Sequence, residues 1–204
     1  MAYIVAICGG SGAGKTTLSN KLKEIFKDDL VQLPYDSYCK DQSSLTIEER
    51  AKVNYDLPSS YDSDLFAEHV KTLKNNESIN KPIFDFPTHT RKKETELIKP
   101  SKIIIIEGIM VFQVKEIEND IDLKIYVEAD TDIRLGRRIL RDIVERGRKV
   151  ESIIHQYIET VKPSFEQFIE PKKLTSDIVF DNNKNDGLDK KEVEKVVNKI
   201  KQAL

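Results

Sequence analysis

The segment Gly9-Gly-Ser-Gly-Ala-Gly-Lys-Thr16 sets a lysine and a hydroxyl directly behind a glycine-rich loop, in the pattern G-x-x-x-x-G-K-[ST]. Such a loop can wrap with its N–H groups turned inward around phosphate oxygens, and a helix starting at its end adds partial positive charge. Gly9, Gly10, Ser11, Gly12, Ala13, Gly14 and Thr17 would then cradle the phosphates. Lys15 would reach the outer phosphates, and the Thr16 hydroxyl would ligate Mg²⁺. The expected ligand is a nucleoside triphosphate. Its γ-phosphate can go to water, as in a switch or motor, or to a second substrate.

Three other groups of residues bear on that choice. Asn183-Lys-Asn-Asp186 fits the N-K-x-D pattern that reads guanine in regulatory GTPases. A switch also needs a D-x-x-G beside the γ-phosphate, and none follows the P-loop; the main apolar strand ends in Glu107-Gly108 instead. Transfer finds more support. Tyr35-Asp36-Ser-Tyr38 sits where a second strand should end, so Asp36 can meet a substrate hydroxyl on the sheet edge that carries the P-loop. Phosphoryl transfer has a loose transition state, and an ordinary carboxylate suffices to orient the hydroxyl and take its proton late. Arg134, Arg137, Arg138, Arg141, Arg146 and Arg148 crowd one helix and the loop after it, in a chain that elsewhere favours lysine. Arginine suits bidentate phosphate contact, so region 131–150, with Gly147 as hinge, reads as a lid.

The elements that must hold these residues follow from periodicity. Short apolar runs at Tyr3–Cys8, Leu30–Leu33, Lys102–Ile106, Leu123–Val127 and Asp177–Phe180 read as buried strands. Helical stripes cover Lys15–Phe26, Asp64–Asn75, Thr131–Glu145, Val150–Ile169 and Leu188–Leu204, and Thr46-Ile-Glu-Glu has capping-box form. This alternation implies an α/β P-loop NTPase fold, a parallel sheet with helices on both faces. One domain spanning 1–204 is expected, with a small β-hairpin inserted at 81–99. The hairpin holds Lys81-Pro-Ile-Phe-Asp-Phe-Pro-Thr-His-Thr-Arg-Lys-Lys-Glu-Thr95, where Phe84, Phe86 and His89 could wall a flat polar ligand or simply form a buried face.

Composition narrows the partners. With 33 basic and 35 acidic side chains, a net charge of −2 gives no general reason to expect nucleic acid. The two cysteines, Cys8 and Cys39, lack metal-ligand or CxxC spacing, and Cys8 reads as a small buried residue. The opening Met-Ala-Tyr-Ile-Val-Ala-Ile-Cys has no basic flank and is too short to span a bilayer, so no membrane partner and a cytoplasmic location are expected.

Five blocks in order give a more specific reading: YDSYCKDQSSLTIEERAKVNYDLPSSYD, PIFDFPTHTRKKET, IIIIEGI, RRILRDIVERGR and HQYIETVKPSFEQFIEP. With the P-loop they resemble the uridine/cytidine kinases, within the group that includes phosphoribulokinase. The resemblance runs from the P-loop to about residue 180. It implies transfer of the γ-phosphate of ATP or GTP to the 5′-hydroxyl of uridine or cytidine, giving UMP or CMP. By the same resemblance Asp36 is the base, and Lys15 and Arg141 serve the transferring phosphate. Arg138 contacts phosphates, and Glu107 stands with Thr16 in the magnesium shell. Asp56 would hold the ribose hydroxyls with Tyr55 beside it. Phe84 and Phe86 would line the base pocket, His89 would bond the pyrimidine edge, and Arg148 and Gln156 would complete the site. The family is commonly a homotetramer. A kinase for another small hydroxylated metabolite and a GTPase-like switch remain the alternatives.

Overall fold

The computed structural model describes residues 1–184 and 187–204. Five strands, β1 (Tyr3–Cys8), β2 (Leu30–Pro34), β5 (Ile103–Glu107), β6 (Leu123–Glu128) and β7 (Ile178–Asp181), form one parallel sheet in the order β2-β5-β1-β6-β7. Helices α1 (Lys15–Phe26), α3 (Ser63–Lys74), α4 (Thr131–Arg146), α5 (Val150–Gln156) and α7 (Lys190–Lys201) carry the main crossovers and cover. The short α2 (Ile47–Arg50) is closed by the expected capping box: Thr46 accepts from the Glu49 N–H, and the Glu49 carboxylate accepts from the Thr46 N–H.

The strands form where they do because they are apolar on both sides. Ile103, Ile104, Ile105 and Ile106 are fully buried, each worth roughly 1.5–3 kcal/mol in burial. Their side chains alternate between two cores. Ile104 and Ile106 join Tyr35, Tyr38, Phe66 and Val70 on one face. Ile103 and Ile105 join Leu18 and Leu22 of α1 and Val196 and Ile200 of α7 on the other.

Register then brings three chain segments to one edge. Ile7 pairs with Glu107 and Glu107 with Pro34, so the P-loop after β1, Glu107 at the end of β5 and Asp36 after β2 emerge side by side. This is the carboxyl edge, where open parallel sheets bind ligands.

The hairpin's strands are longer than the two short extended pieces that the sequence implies, roughly 82–86 and 95–98. β3 (Ile79–Asp85) and β4 (Thr90–Ile98) pair antiparallel as a separate sheet, with an irregularity between Pro82 and Phe84. The expected helix over Val150–Ile169 is one helical stretch of mixed type. After α5 come a π-type run at Tyr157–Val161, the short α6 (Lys162–Ser164) and a second π-type run at Phe165–Ile169. Pro163 lies in the middle and has no N–H to give, so the ladder around it loosens to wider turns. Among the described residues, no helix is long and apolar enough to cross a membrane.

Candidate active site

The P-loop is fitted to its neighbours atom by atom. Gly14 has φ +103°, and a Cβ there would lie 2.2 Å from the Asn182 amide nitrogen. Gly12, at φ +81°, passes so close to the backbone of Arg134 that a Cβ would lie 2.2 Å from its carbonyl oxygen. Only glycine meets both demands. Asn182 itself is buried and donates its amide to the Ala13 carbonyl at 2.6 Å, propping the loop from behind. Lys15 is buried and donates to the Gly10 carbonyl at 3.2 Å. The Thr16 hydroxyl donates to Glu107 Oε1 at 3.0 Å. Burial pushes the pKa of Glu107 up, against the opposing charge of Lys15.

Asp36 sits on a tight 3₁₀ turn, Tyr35–Tyr38, clamped by two buried rings. Tyr35 stacks on Tyr61 at 4.4 Å and shares a hydrogen bond with Ser63 Oγ; Tyr38 does the same with His69 Nδ1 at 2.7 Å. The chain therefore offers Asp36 little freedom. Its Oδ1 is buried and has no hydrogen-bond partner. A carboxylate oxygen held that way is a standing cost unless a ligand completes it.

Two adjoining cavities open at this edge. The larger, about 740 Å³, runs along Gly12, Gly14, Thr17 and Asn20 and reaches Asn182 and Lys184. The smaller, about 250 Å³, is walled by Tyr55, Asp56, Phe84, Phe86, His89, Arg148 and Gln156. Lys15, Thr16, Asp36, Glu107 and Arg141 line both, as do Phe84, Phe86 and Arg146. Of the expected site residues, Gly12, Gly14 and Thr17 line the larger space alone and Tyr55, Asp56, His89, Arg148 and Gln156 the smaller alone, Asp36 lies on the shared wall, and Gly9, Gly10 and Ala13 line neither. Ser11 and Arg138 lie on the smaller cavity, Arg138 giving its Nη1 to Ser11 Oγ at 2.8 Å.

The aromatic cluster is built from the hairpin and the loop before α3. Phe84 and Phe86 meet edge to face at 5.4 Å, Tyr55 stands against Phe84 at 5.9 Å, and the Tyr55 and His89 rings stack at 5.8 Å. His89 has φ +52°, a left-handed backbone that costs a non-glycine residue of order 1–3 kcal/mol. That conformation is held by the Tyr55 hydroxyl, which donates to the His89 carbonyl at 3.0 Å. Burial, then the charges of Arg148 and Arg146, lower the His89 pKa from its ordinary 6.5. Asp56 is buried and its pKa is raised by that burial, with Arg138 pulling the other way.

The arginine helix is not a uniform comb. Arg134 turns away from the cavities: its guanidinium lies 3.9 Å over the Phe165 ring and its Nε donates to the Ala129 carbonyl. Arg137 donates to the Asn182 and Lys184 carbonyls. Arg138 and Arg148 both donate to Gln156 Oε1, at 2.8 and 2.6 Å, and Arg146 stands 4.1 Å over Phe86. Gly147, at φ +62°, ends α4, and the Arg148 N–H returns to the Asp142 carbonyl at 3.0 Å. Sequence reasoning assigned no role to Asn182 or Asp142, the latter a fully buried carboxylate with Arg138, Arg141, Arg146 and Arg148 all within 4 Å. Their spacing about Asp142, at −4, −1, +4 and +6, was the available signal.

Of the guanine-reading pattern, Asn183 Oδ1 accepts from the Asp130 N–H at 2.7 Å, tying down the start of α4. Asn185 and Asp186 lie outside the described residues. Cys8 is buried, donates to the Ile109 carbonyl, and has its pKa pushed up to about 11 by burial, which makes it inert.

A hard cation is chemically suited to the edge where the Thr16 hydroxyl, the Glu107 carboxylate and the orphaned Asp36 oxygen converge, an all-oxygen donor set. No group of three or more His, Cys, Asp or Glu side chains that could hold a metal occurs among the described residues.

Comparison with known proteins agrees with this geometry. Uridine kinase from Clostridium novyi (strain NT) is 50% identical over 202 residues, covering 98% of this chain and 96% of that protein. Uridine kinase from Clostridium tetani (strain Massachusetts / E88) is 46% identical over 202 residues, covering 98% and 95%. Among solved structures, phosphoribulokinase from Rhodobacter spheroides shares the fold with a TM-score of 0.61 at 13% identity, over 88% of this chain and 70% of that one. The family model described as phosphoribulokinase / uridine kinase matches residues 4–188, and the chain belongs to that family of P-loop kinases.

Proposed function

We propose that the chain is a nucleoside kinase that transfers the γ-phosphate of ATP or GTP to the 5′-hydroxyl of uridine or cytidine, giving UMP or CMP. The observation that carries this reading is Asp36, whose unpartnered buried oxygen lies on the wall common to the P-loop cavity and the aromatic cavity. That the relatives at 50% and 46% identity are uridine kinases supports the choice of acceptor.

The residues then divide the work. The P-loop holds the triphosphate, with Gly12, Gly14, Lys15, Thr16 and Thr17 on the cavity wall, and Lys15 and Arg141 meet the charge that develops on the transferring group. Thr16 and Glu107 would hold Mg²⁺, which when bound neutralises phosphate oxygens. Tyr55, Phe84 and Phe86 wall the base and His89 bonds its edge. Asp56 holds the ribose hydroxyls, with Arg148 and Gln156 completing the site, and Arg138 contacts phosphates beside Ser11. Asp36 accepts the 5′-hydroxyl proton as its oxygen attacks in line, and the nucleoside diphosphate leaves from the other side; no covalent enzyme intermediate forms. Residues 1–204 act as a single domain, 131–150 as a lid, in a cytoplasmic homotetramer that uses neither nucleic acid nor membrane.

The test is a coupled assay with ATP and with GTP across uridine, cytidine, adenosine, ribulose 5-phosphate and pantothenate, with a no-acceptor control. Uridine- or cytidine-dependent turnover is expected. Turnover with another acceptor alone, or equal hydrolysis without any, would replace this reading.

A further inference from the structure

Four of the six arginines of region 131–150 converge on one carboxylate that the proposed chemistry does not use. Asp142 Oδ1 accepts from Arg141 Nε at 2.9 Å and Nη2 at 2.8 Å and lies 3.4 Å from Arg146 Nη1. Its Oδ2 lies 3.3 Å from Arg148 Nη1 and 3.9 Å from Arg138 Nε. The side chain is wholly buried, whereas ion pairs on helices ordinarily sit in solvent and contribute little. Four guanidiniums share this one carboxylate; Asp56 acts on Arg138 and Asp36 on Arg146 as well, which leaves four positive charges against three negative ones around the cavities.

The four arginines also point to different places. Arg141 lines both cavities, and Arg138 reaches Ser11 of the P-loop. Arg148 joins Gln156 on the acceptor side, and Arg146 covers the Phe86 ring. We infer that Asp142 is the positioning residue of this enzyme, whose carboxylate spaces the arginines of the phosphate side and of the acceptor side relative to one another. The groups that touch the reacting atoms are the arginines, and Asp142 acts through them. The excess positive charge is what a polyphosphate completes, and the rigid fork of each guanidinium lets one carboxylate fix several directions at once.

This inference rests on the kinase reading, so wild-type turnover on the nucleoside is measured first; its absence would be a failure of that reading, not of this one. The test is Asp142→Asn, steady-state kinetics with ATP and uridine, beside Arg141→Ala and the double variant. Expected is a fall in kcat of about 10- to 100-fold, the scale of a misplaced reacting group, with the ATP KM changed less than about threefold. In the Arg141→Ala background the same substitution should cost much less, because residues acting as a unit are not additive. Equal kcat in Asp142→Asn, or a loss that simply adds to that of Arg141→Ala, would overturn the assignment. Where Asp142→Asn does not fold, Asp142→Glu decides: it keeps the charge and moves the oxygens outward by one methylene. A lowered kcat at wild-type melting temperature upholds positioning, and unchanged kcat overturns it.

Discussion

At the scale of single residues, the site depends on groups kept in costly states. Asp36 is the plainest, with one buried oxygen unbonded on a turn that two buried tyrosines hold still. Replacing it with Asn keeps size and most packing but removes the proton acceptor. Asp36→Asn should therefore bind ATP as the parent does and lose about 10²-fold or more in kcat, the scale of acid–base loss. Calorimetry with a non-hydrolysable ATP analogue and single-turnover kinetics measure the two halves; undiminished turnover would take Asp36 out of the mechanism.

His89 makes a second prediction, because its burial and the charges of Arg148 and Arg146 lower its pKa below 6.5. The ring is then neutral across the neutral range and stays so further into acid than a free histidine would. The unfolded chain takes up a proton near 6.5 while the folded one resists it, so this group's contribution to stability is lost as pH falls below that value. The uridine KM should be flat from about pH 8 to 6.5 and rise only at lower pH. His89→Gln, which cannot titrate, should remove that acid limb, and His89→Ala should cost about 1–3 kcal/mol of nucleoside use at all pH values. A limb that persists in His89→Gln belongs to another group.

At the scale of elements, legibility followed periodicity. β1, the P-loop, α1 and the isoleucine strand were plain in the sequence because each buries a continuous run or stripe. The hairpin's length was not, since β4 is exposed through Lys92–Leu97 and has no apolar face to show. The arginine-rich helix was legible as an excess of arginine, but the separate uses of Arg134, Arg137 and Arg146 were set by Phe165, the Asn182 loop and Phe86, all distant in sequence. Asn182 was hidden for the same reason, being a polar residue after a strand until the fold sets it behind the P-loop. That contact is testable. Gly14→Ala meets both an unfavourable φ of +103° and the Asn182 amide at 2.2 Å. Adding Asn182→Ala should relieve the clash but leave the dihedral cost, roughly 1–2 kcal/mol. ATP affinity should thus recover partly, not fully, in the double variant, as read by calorimetry; no recovery would mean the amide is not what the Cβ meets.

At the scale of the whole molecule, the sheet separates two supports. The face with Ile104 packs against the Tyr35–Tyr38 turn, Tyr61 and, more loosely, Tyr55 and Phe84, so it backs the acceptor side. The face with Ile105 packs against Ala13, Leu18 and Leu22, so it backs the P-loop and its helix. Both isoleucines are fully buried and differ only in which way the pleat points them. Truncation of either to alanine should therefore lower stability by a similar amount, about 2–5 kcal/mol in urea unfolding. Their kinetic effects should diverge below the unfolding range: Ile104→Ala should raise the uridine KM more than the ATP KM, and Ile105→Ala the reverse. If the two variants shift both constants alike, the cores relax as one body and the division of labour across the sheet is wrong.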